Sequence, residues 1–182
     1  MQALDVRTGK EIWRFETNGI IRSTRSLYQA TVYFQNDDIQ LYALDRTTGV
    51  LKWQFDEGQY HTGNAASPLP SGSSLYVGCS NGGLLALDTT AKLLWEYQNP
   101  TGKGFTVRPA YFGSLWIGND STHLLHLDAN QRTLISTYTM PAKFNTSSNN
   151  SYGIIYAGSI DGKVYLLTEC HFMGILTPMH LL

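Results

Sequence analysis

Four aspartates recur at even spacing, Asp5, Asp45, Asp88 and Asp128, separated by 40, 43 and 40 residues. Carboxylates that act as an acid–base pair must converge on one bond. Carboxylates standing at the same place in successive units, one to a unit, are too far apart for that. An Asp at a strand end instead accepts hydrogen bonds from the turn amides that follow it, so the set reads as structural caps. The histidines are His61, His123, His126, His171 and His180. His123 and His126 are three apart, which on a strand sends them to opposite faces and away from a shared metal. Cys79 and Cys170 are the two cysteines. They lie in different units and read as unpaired thiols, packed or incidental.

Four other segments gather polar side chains: Arg22-Ser23-Thr24-Arg25, His61-Thr62-Gly63-Asn64, Phe105-Thr106-Val107-Arg108 and Phe144-Asn145-Thr146-Ser147. Arg22, Arg25, His61, Asn64, Arg108 and Asn145 are the candidate ligand contacts. Three guanidiniums with amides and hydroxyls suit an anionic or hydroxylated ligand, although polar linings also serve merely to bind water. The chain has no phosphate-binding glycine loop, dinucleotide fingerprint, paired-histidine zinc helix or nucleophile elbow. Asn-x-Ser/Thr triplets at Asn119, Asn145 and Asn149 read as chance in a chain rich in Ser and Asn.

The elements that must position these residues are repeats. Ala3-Leu4-Asp5, Ala43-Leu44-Asp45 and Ala86-Leu87-Asp88 each run on to a tryptophan, Trp13, Trp53 and Trp95. His126-Leu127-Asp128 is a worn copy, and Leu166-Leu167-Thr168 a more degenerate one. Ten residues before the alanine column stands an aromatic, Tyr33, Tyr76, Trp116 or Tyr156; two residues after it come Gly78, Gly118 or Gly158, with Gln35 as the exception. Short apolar runs flank Asn81-Gly82 and Asp161-Gly162, dipeptides suited to tight hairpins. The spacing predicts four short strands per unit. One such sheet cannot bury both faces alone, but stacked sheets cover one another, which is the β-propeller solution. The chain is expected to be all-β, a partial propeller of about four and a half four-stranded blades. The repeats fall at 1–15 (partial), 20–57, 62–98, 103–139 and 143–182, as one domain. The segments with the polar clusters would then be the inner strands lining a channel.

The motif Ala-x-Asp-x-x-Thr-Gly-Lys-x-x-Trp is matched in full by Ala3, Asp5, Thr8, Gly9, Lys10 and Trp13, and except at the lysine by Ala43, Asp45, Thr48, Gly49 and Trp53. It resembles the tryptophan-docking repeat of the pyrroloquinoline-quinone (PQQ) family of β-propellers. In that family the indole lies between neighbouring blades, with alanine and glycine making room. The resemblance implies structural docking for Trp13, Trp53 and Trp95. The third copy lacks the Thr-Gly. The fourth puts Gln131, Arg132 and Ser136 in the Thr, Gly and Trp columns, and the fifth puts His171, Phe172 and Leu176 there.

Such repeats occur in quinoprotein dehydrogenases, in the lipoprotein of the bacterial outer-membrane barrel-assembly machine, and as propellers appended to adenylate-forming enzymes. The dehydrogenases carry adjacent cysteines against the quinone, and this chain has no such pair. The resemblance therefore implies a non-catalytic scaffold for protein interaction, without cofactor, or a piece of a larger propeller completed by a partner protein or a second copy. The alternative is part of a PQQ-dependent dehydrogenase using the quinone with calcium. The net charge of −1 carries no nucleic-acid footprint, and no apolar run reaches the 18 or so residues of a membrane span. Met1-Gln2-Ala3-Leu4-Asp5 leads straight into the repeat with no leader pattern. The compartment stays open: family members are often periplasmic, and the chain is cytoplasmic if Met1 is its natural start.

Overall fold

The computed structural model describes residues 1–21, 23–58, 66–105, 107–144, 149–151, 154–168 and 172–176; at 149–151, 167–168 and 172–176 it is the backbone that is described. β1 (Gln2–Leu4) and β2 (Glu11–Arg14) form a two-stranded antiparallel sheet. Four complete blades follow, each a four-stranded antiparallel meander. The first holds β3 (Ser26–Tyr28), β4 (Thr31–Gln35), β5 (Gln40–Asp45) and β6 (Leu51–Asp56). The second holds β7 (Leu69–Ser71), β8 (Ser74–Gly78), β9 (Gly83–Asp88) and β10 (Leu93–Gln98). The third holds β11 (Ala110–Phe112), β12 (Ser114–Gly118), β13 (His123–Asp128) and β14 (Thr133–Thr139). The fourth holds β15 (Asn149–Ser151), β16 (Ile154–Gly158), β17 (Val164–Thr168) and β18 (Phe172–Leu176). The molecule is all-β, a partial propeller.

The two middle strands of a blade are covered on both faces, so they are apolar without alternation. All of β4 is buried. Side-chain direction still alternates, and it sorts each strand between two neighbours. Tyr33, Leu41 and Ala43 pack forward onto Leu75, Val77, Leu85 and Leu87 of the second blade. Val32, Phe34, Tyr42 and Leu44 pack backward onto Trp13, with Ala3 and Phe15 at the margin. Tyr76, Leu84 and Ala86 meet Leu115, Ile117, Leu125 and Leu127, and Trp116 and Leu124 meet Ile155, Ala157 and Tyr165. Four apolar interfaces thus join five sheets in chain order. Each fully buried Leu or Val stabilises its interface by about 1.5–3 kcal/mol.

A repeated row of three side chains fixes the contents of each interface. Tyr33, Ala43 and Trp53 lie opposite one another across β4, β5 and β6, as do Tyr76, Ala86 and Trp95 across β8, β9 and β10. The rings flank the alanine, with centroids 5.8 Å and 6.0 Å apart. In the third blade the row is Trp116, His126 and Ser136. The bulk has moved to the middle: His126 stacks on Trp116 at 3.9 Å, and its imidazole bridges Ser114 Oγ (2.7 Å) and Ser136 Oγ (3.3 Å). In the fourth blade Tyr156 and Leu166 are followed by Gly174. Gly174, rather than Leu176, therefore occupies the tryptophan column, because the connection after Leu166 is two residues shorter than counting from the motif implies.

One feature has no counterpart in the motif. In every sheet the ladder to the outer strand shifts by one residue just before the tryptophan column. The extra residue is Ile12, Lys52, Leu94, Ile135 or Met173. This β-bulge re-aims the outer strand, so that the indole faces the next blade while Ile12, Leu94 and Ile135 are left exposed.

Candidate functional site

In the first four sheets the turn after the strand that ends on the repeat's aspartate is built around that residue. Asp5 Oδ1 accepts from the amides of Arg7 and Thr8 and from the Thr8 hydroxyl. Asp45 accepts from Thr47, Thr48 and the Thr48 hydroxyl, Asp88 from Thr90 and Lys92, and Asp128 from Asn130 and Gln131. Hydrogen bonds to the charged form, from the Thr8 amide at Asp5, the Thr48 amide at Asp45 and the Thr90 hydroxyl at Asp88, hold these carboxyls below their ordinary values. The turn then closes through a left-handed residue, Gly9 (φ 70°), Gly49 (φ 72°), Ala91 (φ 70°) or Arg132 (φ 63°). Ala91 and Arg132 keep the turn where the motif has lost its glycine.

Two of these turns, at Asp45 and Asp88, are docks. Trp13 Nε1 donates to the Arg46 carbonyl at 3.0 Å, and its ring lies on Gly49: a methyl group there would come within 2.6 Å of the ring carbons. Trp53 Nε1 donates in the same way to the Thr89 carbonyl, at 2.8 Å, in the following blade. Both carbonyls belong to the residue directly after the capping aspartate. Trp95 joins the interface between the second and third blades. Trp53 and Trp95 are half-buried, whereas Trp13 is nearly enclosed.

In the four blades the first strands begin at Ser26, Leu69, Ala110 and Asn149, after the segments expected to line a channel, and Phe105 and Phe144 make isolated bridges to Asn119 and Ser159. Phe105, Val107 and Phe144 are core residues instead. They fill the space left by the glycine column, since a methyl group on Gly78 would lie 2.9 Å from Phe105 Cβ and one on Gly118 would lie 2.8 Å from the Phe144 ring. Arg25 is exposed and lines a shallow groove with Met1, Gln2, Arg14 and Glu16. Arg108 is half-buried, and desolvation lowers its pKa. The groove at Arg25 does not include Arg108. Arg22, His61, Asn64 and Asn145 lie outside the described residues, as do Cys170, His171 and His180.

Sequence reasoning missed Glu57. This carboxylate is fully buried, 2.6 Å from Gln35 Nε2 and 4.0 Å from Cys79 Sγ. The signal was present: Gln35 is the one departure from the glycine column, and its amide is what meets Glu57. Cys79 is a free, buried thiol whose pKa is pushed well up by burial and by the Glu57 charge, so it is a poor nucleophile. Among the described residues no cluster of three or more His, Cys, Asp or Glu could hold a metal.

The ends of the stack are its distinctive surfaces. Leu44, Leu87 and Leu127 are 0% exposed beneath the preceding sheet, while Leu4, in the same column, is 51% exposed. Leu41, Leu84 and Leu124 are 0% exposed beneath the following sheet, while their counterpart Val164 is 38% exposed. β1 and β2 remain a sheet of their own, and β15 to β18 are complete without them. Among the described residues the stack is open at both ends.

The family model of the outer membrane protein assembly factor BamB matches residues 1–168. The chain belongs to that family. BamB from Moraxella catarrhalis superposes on this BamB-family chain with a TM-score of 0.76 at 19% identity, over 96% of this chain and 54% of that one. The quinohemoprotein alcohol dehydrogenase of Comamonas testosteroni gives a TM-score of 0.74 at 14% identity, over 97% of this chain and 40% of that one. The chain thus spans about half or less of the length of these structures, and at such identity the likeness is one of fold. No curated protein matches it in sequence. Among the described residues no helix is long and apolar enough to cross a membrane.

Proposed function

We propose that this chain is a non-catalytic PQQ-like propeller segment that works as a protein-interaction scaffold, its open faces covered by a partner protein or a second copy. The observation that carries this reading is the pair of uncovered blade faces, marked by Leu4 and Val164, at the ends of a stack whose internal copies of the same columns are fully buried. Exposed apolar faces of this kind mark interaction sites. BamB is described as an assembly factor of outer membrane proteins, a role of the same class.

Light scattering behind a sizing column tests the proposal. The chain is expected to associate, and Leu4→Glu or Val164→Glu to raise the monomer fraction. A clean monomer, unchanged in mass and stability by both substitutions, would overturn it. The dehydrogenase alternative has the fold likeness in its favour and no described site. Addition of PQQ with Ca²⁺ is expected to leave the absorbance of the quinone and the melting temperature of the chain unchanged.

A further inference from the structure

The corner where an outer strand passes into the next blade is built from equivalent residues after the first and second blades, with opposite results. Glu57 and Asn99 hold the same position, their amides donating to the carbonyls of Ile39 and Gly82. The next blade offers Cys79 and Asn119, whose amides donate to the carbonyls of Gly83 and His123. In the first corner Glu57 reaches across to within 4.0 Å of Cys79 Sγ, and both residues are fully buried. In the second, Asn99 turns back on its own loop. Its Nδ2 donates to the Lys103 carbonyl at 2.8 Å, and its Oδ1 accepts from the amide and hydroxyl of Thr101.

This second corner holds a cavity of about 160 Å³. The buried Asn119 and Leu125 and the half-buried Tyr97 and His123 line its inner part, and the exposed Leu134 and Thr137 line its mouth. Two polar atoms of the lining residues are unmatched. Asn119 is 1% exposed. Its Oδ1 accepts from the Ser121 amide, the Ser121 hydroxyl and the His123 amide. Those bonds fix the side-chain amide, and Nδ2 is buried with no hydrogen-bond partner. Tyr97 Oη is buried and unpaired as well, and desolvation raises its pKa. The first blade has Phe55 at this place, opposite Leu41 as Tyr97 is opposite Leu84. A buried donor without an acceptor carries its full desolvation cost, so the hydroxyl does nothing for the fold that Phe55 does not do.

We infer that this cavity is a binding site for a small uncharged carboxamide, whose carbonyl oxygen accepts from Asn119 Nδ2 and Tyr97 Oη. A side-chain amide nitrogen can only donate, so the ligand must present an acceptor. Among the described residues no Asp, Glu, Lys or Arg lines the cavity, and a carboxylate or an ammonium would be desolvated there without a counter-charge. Leu125 and Leu134 give an apolar wall for the carbons beside the carbonyl, and the Thr137 hydroxyl at the mouth suits the amide N–H. Cavities of this volume admit benzene, which sets the ligand at the size of propionamide. The site lies between two complete blades and is independent of the uncovered end faces and of the scaffold reading.

The probe is propionamide, titrated into the intact, isotope-labelled protein with amide shift mapping as the readout. Saturable binding is expected, with shifts gathered at Tyr97, Asn99, Asn119, His123 and Leu125. Propanol, which lacks the carbonyl, and propionate, which adds a charge, should each bind at least several-fold more weakly. Asn119→Asp keeps the Oδ1 bonds of the turn and puts an acceptor where Nδ2 stood; it should weaken propionamide at least tenfold. Tyr97→Phe restores the residue type of the first blade and should weaken it several-fold, while leaving the melting temperature of the free protein unchanged or raised. An acetylated and amidated glutamine peptide that binds as tightly as propionamide would assign the amide to a partner polypeptide, and its exclusion would assign it to a free small molecule; either result keeps the site. Absence of saturation at the solubility limit of propionamide, equal binding of all three probes, or a Tyr97→Phe variant that melts lower than the native chain would overturn the inference.

Discussion

A capping aspartate, a left-handed glycine and a docked indole form the smallest functional unit of this chain. Gly49 does two jobs that Gly9 does not combine: both adopt positive φ, but only Gly49 is covered by a ring. Gly9→Ala is therefore expected to cost about 1 kcal/mol of strain. Gly49→Ala adds overpacking against Trp13, for a total of about 2–4 kcal/mol. Equal costs in denaturant unfolding would show that the indole is not seated there. The aspartates give a pH signature. Asp45 is held below its ordinary value of 3.8, first by the Thr48 amide and then by that of Thr47. A carboxyl with a depressed folded pKa stabilises the fold above its unfolded pKa, and that stability is lost as pH falls through the folded value. Asp45→Asn should flatten the decline in melting temperature between about pH 5 and pH 3. A variant that follows the native curve throughout would remove Asp45 from the turn's energetics.

At the level of strands and rows, the blades keep volume while exchanging residues. Tyr–Ala–Trp becomes Trp–His–Ser in the third blade, and the middle strand gains what the outer strand gives up. His126→Ala should cost about 2–4 kcal/mol, since it opens a cavity against Trp116 and strips Ser114 of its imidazole partner. Ser136→Trp alone should overpack against His126. Together they give Trp–Ala–Trp, which regains the Ala–Trp pair of the first two blades, so a double-mutant cycle is expected to give a favourable coupling of about 1–3 kcal/mol. Simple additivity would mean that the row is not a unit. The bulge before each tryptophan column belongs to the same scale. It recurs in all five sheets although Ile12, Lys52, Leu94 and Ile135 share no single side-chain type, so it is a property of the ladder and its turn.

Across the whole molecule, stability is a sum over sheets and the interfaces between them. The end sheets each have one covered face, and the inner blades have two. Hydrogen exchange should accordingly be fastest at Gln2–Arg14 and Ile154–Val164 and slowest in β8, β9 and β12. Uniform protection from end to end would indicate that the terminal faces are covered in solution, which light scattering would then show as association. The scaffold reading depends on this asymmetry, because the face bearing Leu4 presents apolar surface that the internal copies bury.

The repeat by itself determined the architecture. Ala-Leu-Asp and its tryptophan, with Asn81-Gly82 and Asp161-Gly162, place strands and hairpins through local chemistry: turn residues that tolerate positive φ and aspartates that bond the next amides. The docking role of the tryptophans followed from the family motif, since the alanine and glycine that make room are local to it. Tertiary structure decided what depends on neighbours in the stack. Phe105 and Phe144 look like channel residues in the sequence but fill the holes over Gly78 and Gly118. Glu57, at the end of its repeat, is buried only because Gln35 and Cys79 come from other strands to meet it. Leu4 and Leu44 occupy one column of one motif, and nothing in either residue says which will be covered. Burial is a property of the adjoining sheet, so the open faces that carry the proposed function appear only when the blades are stacked.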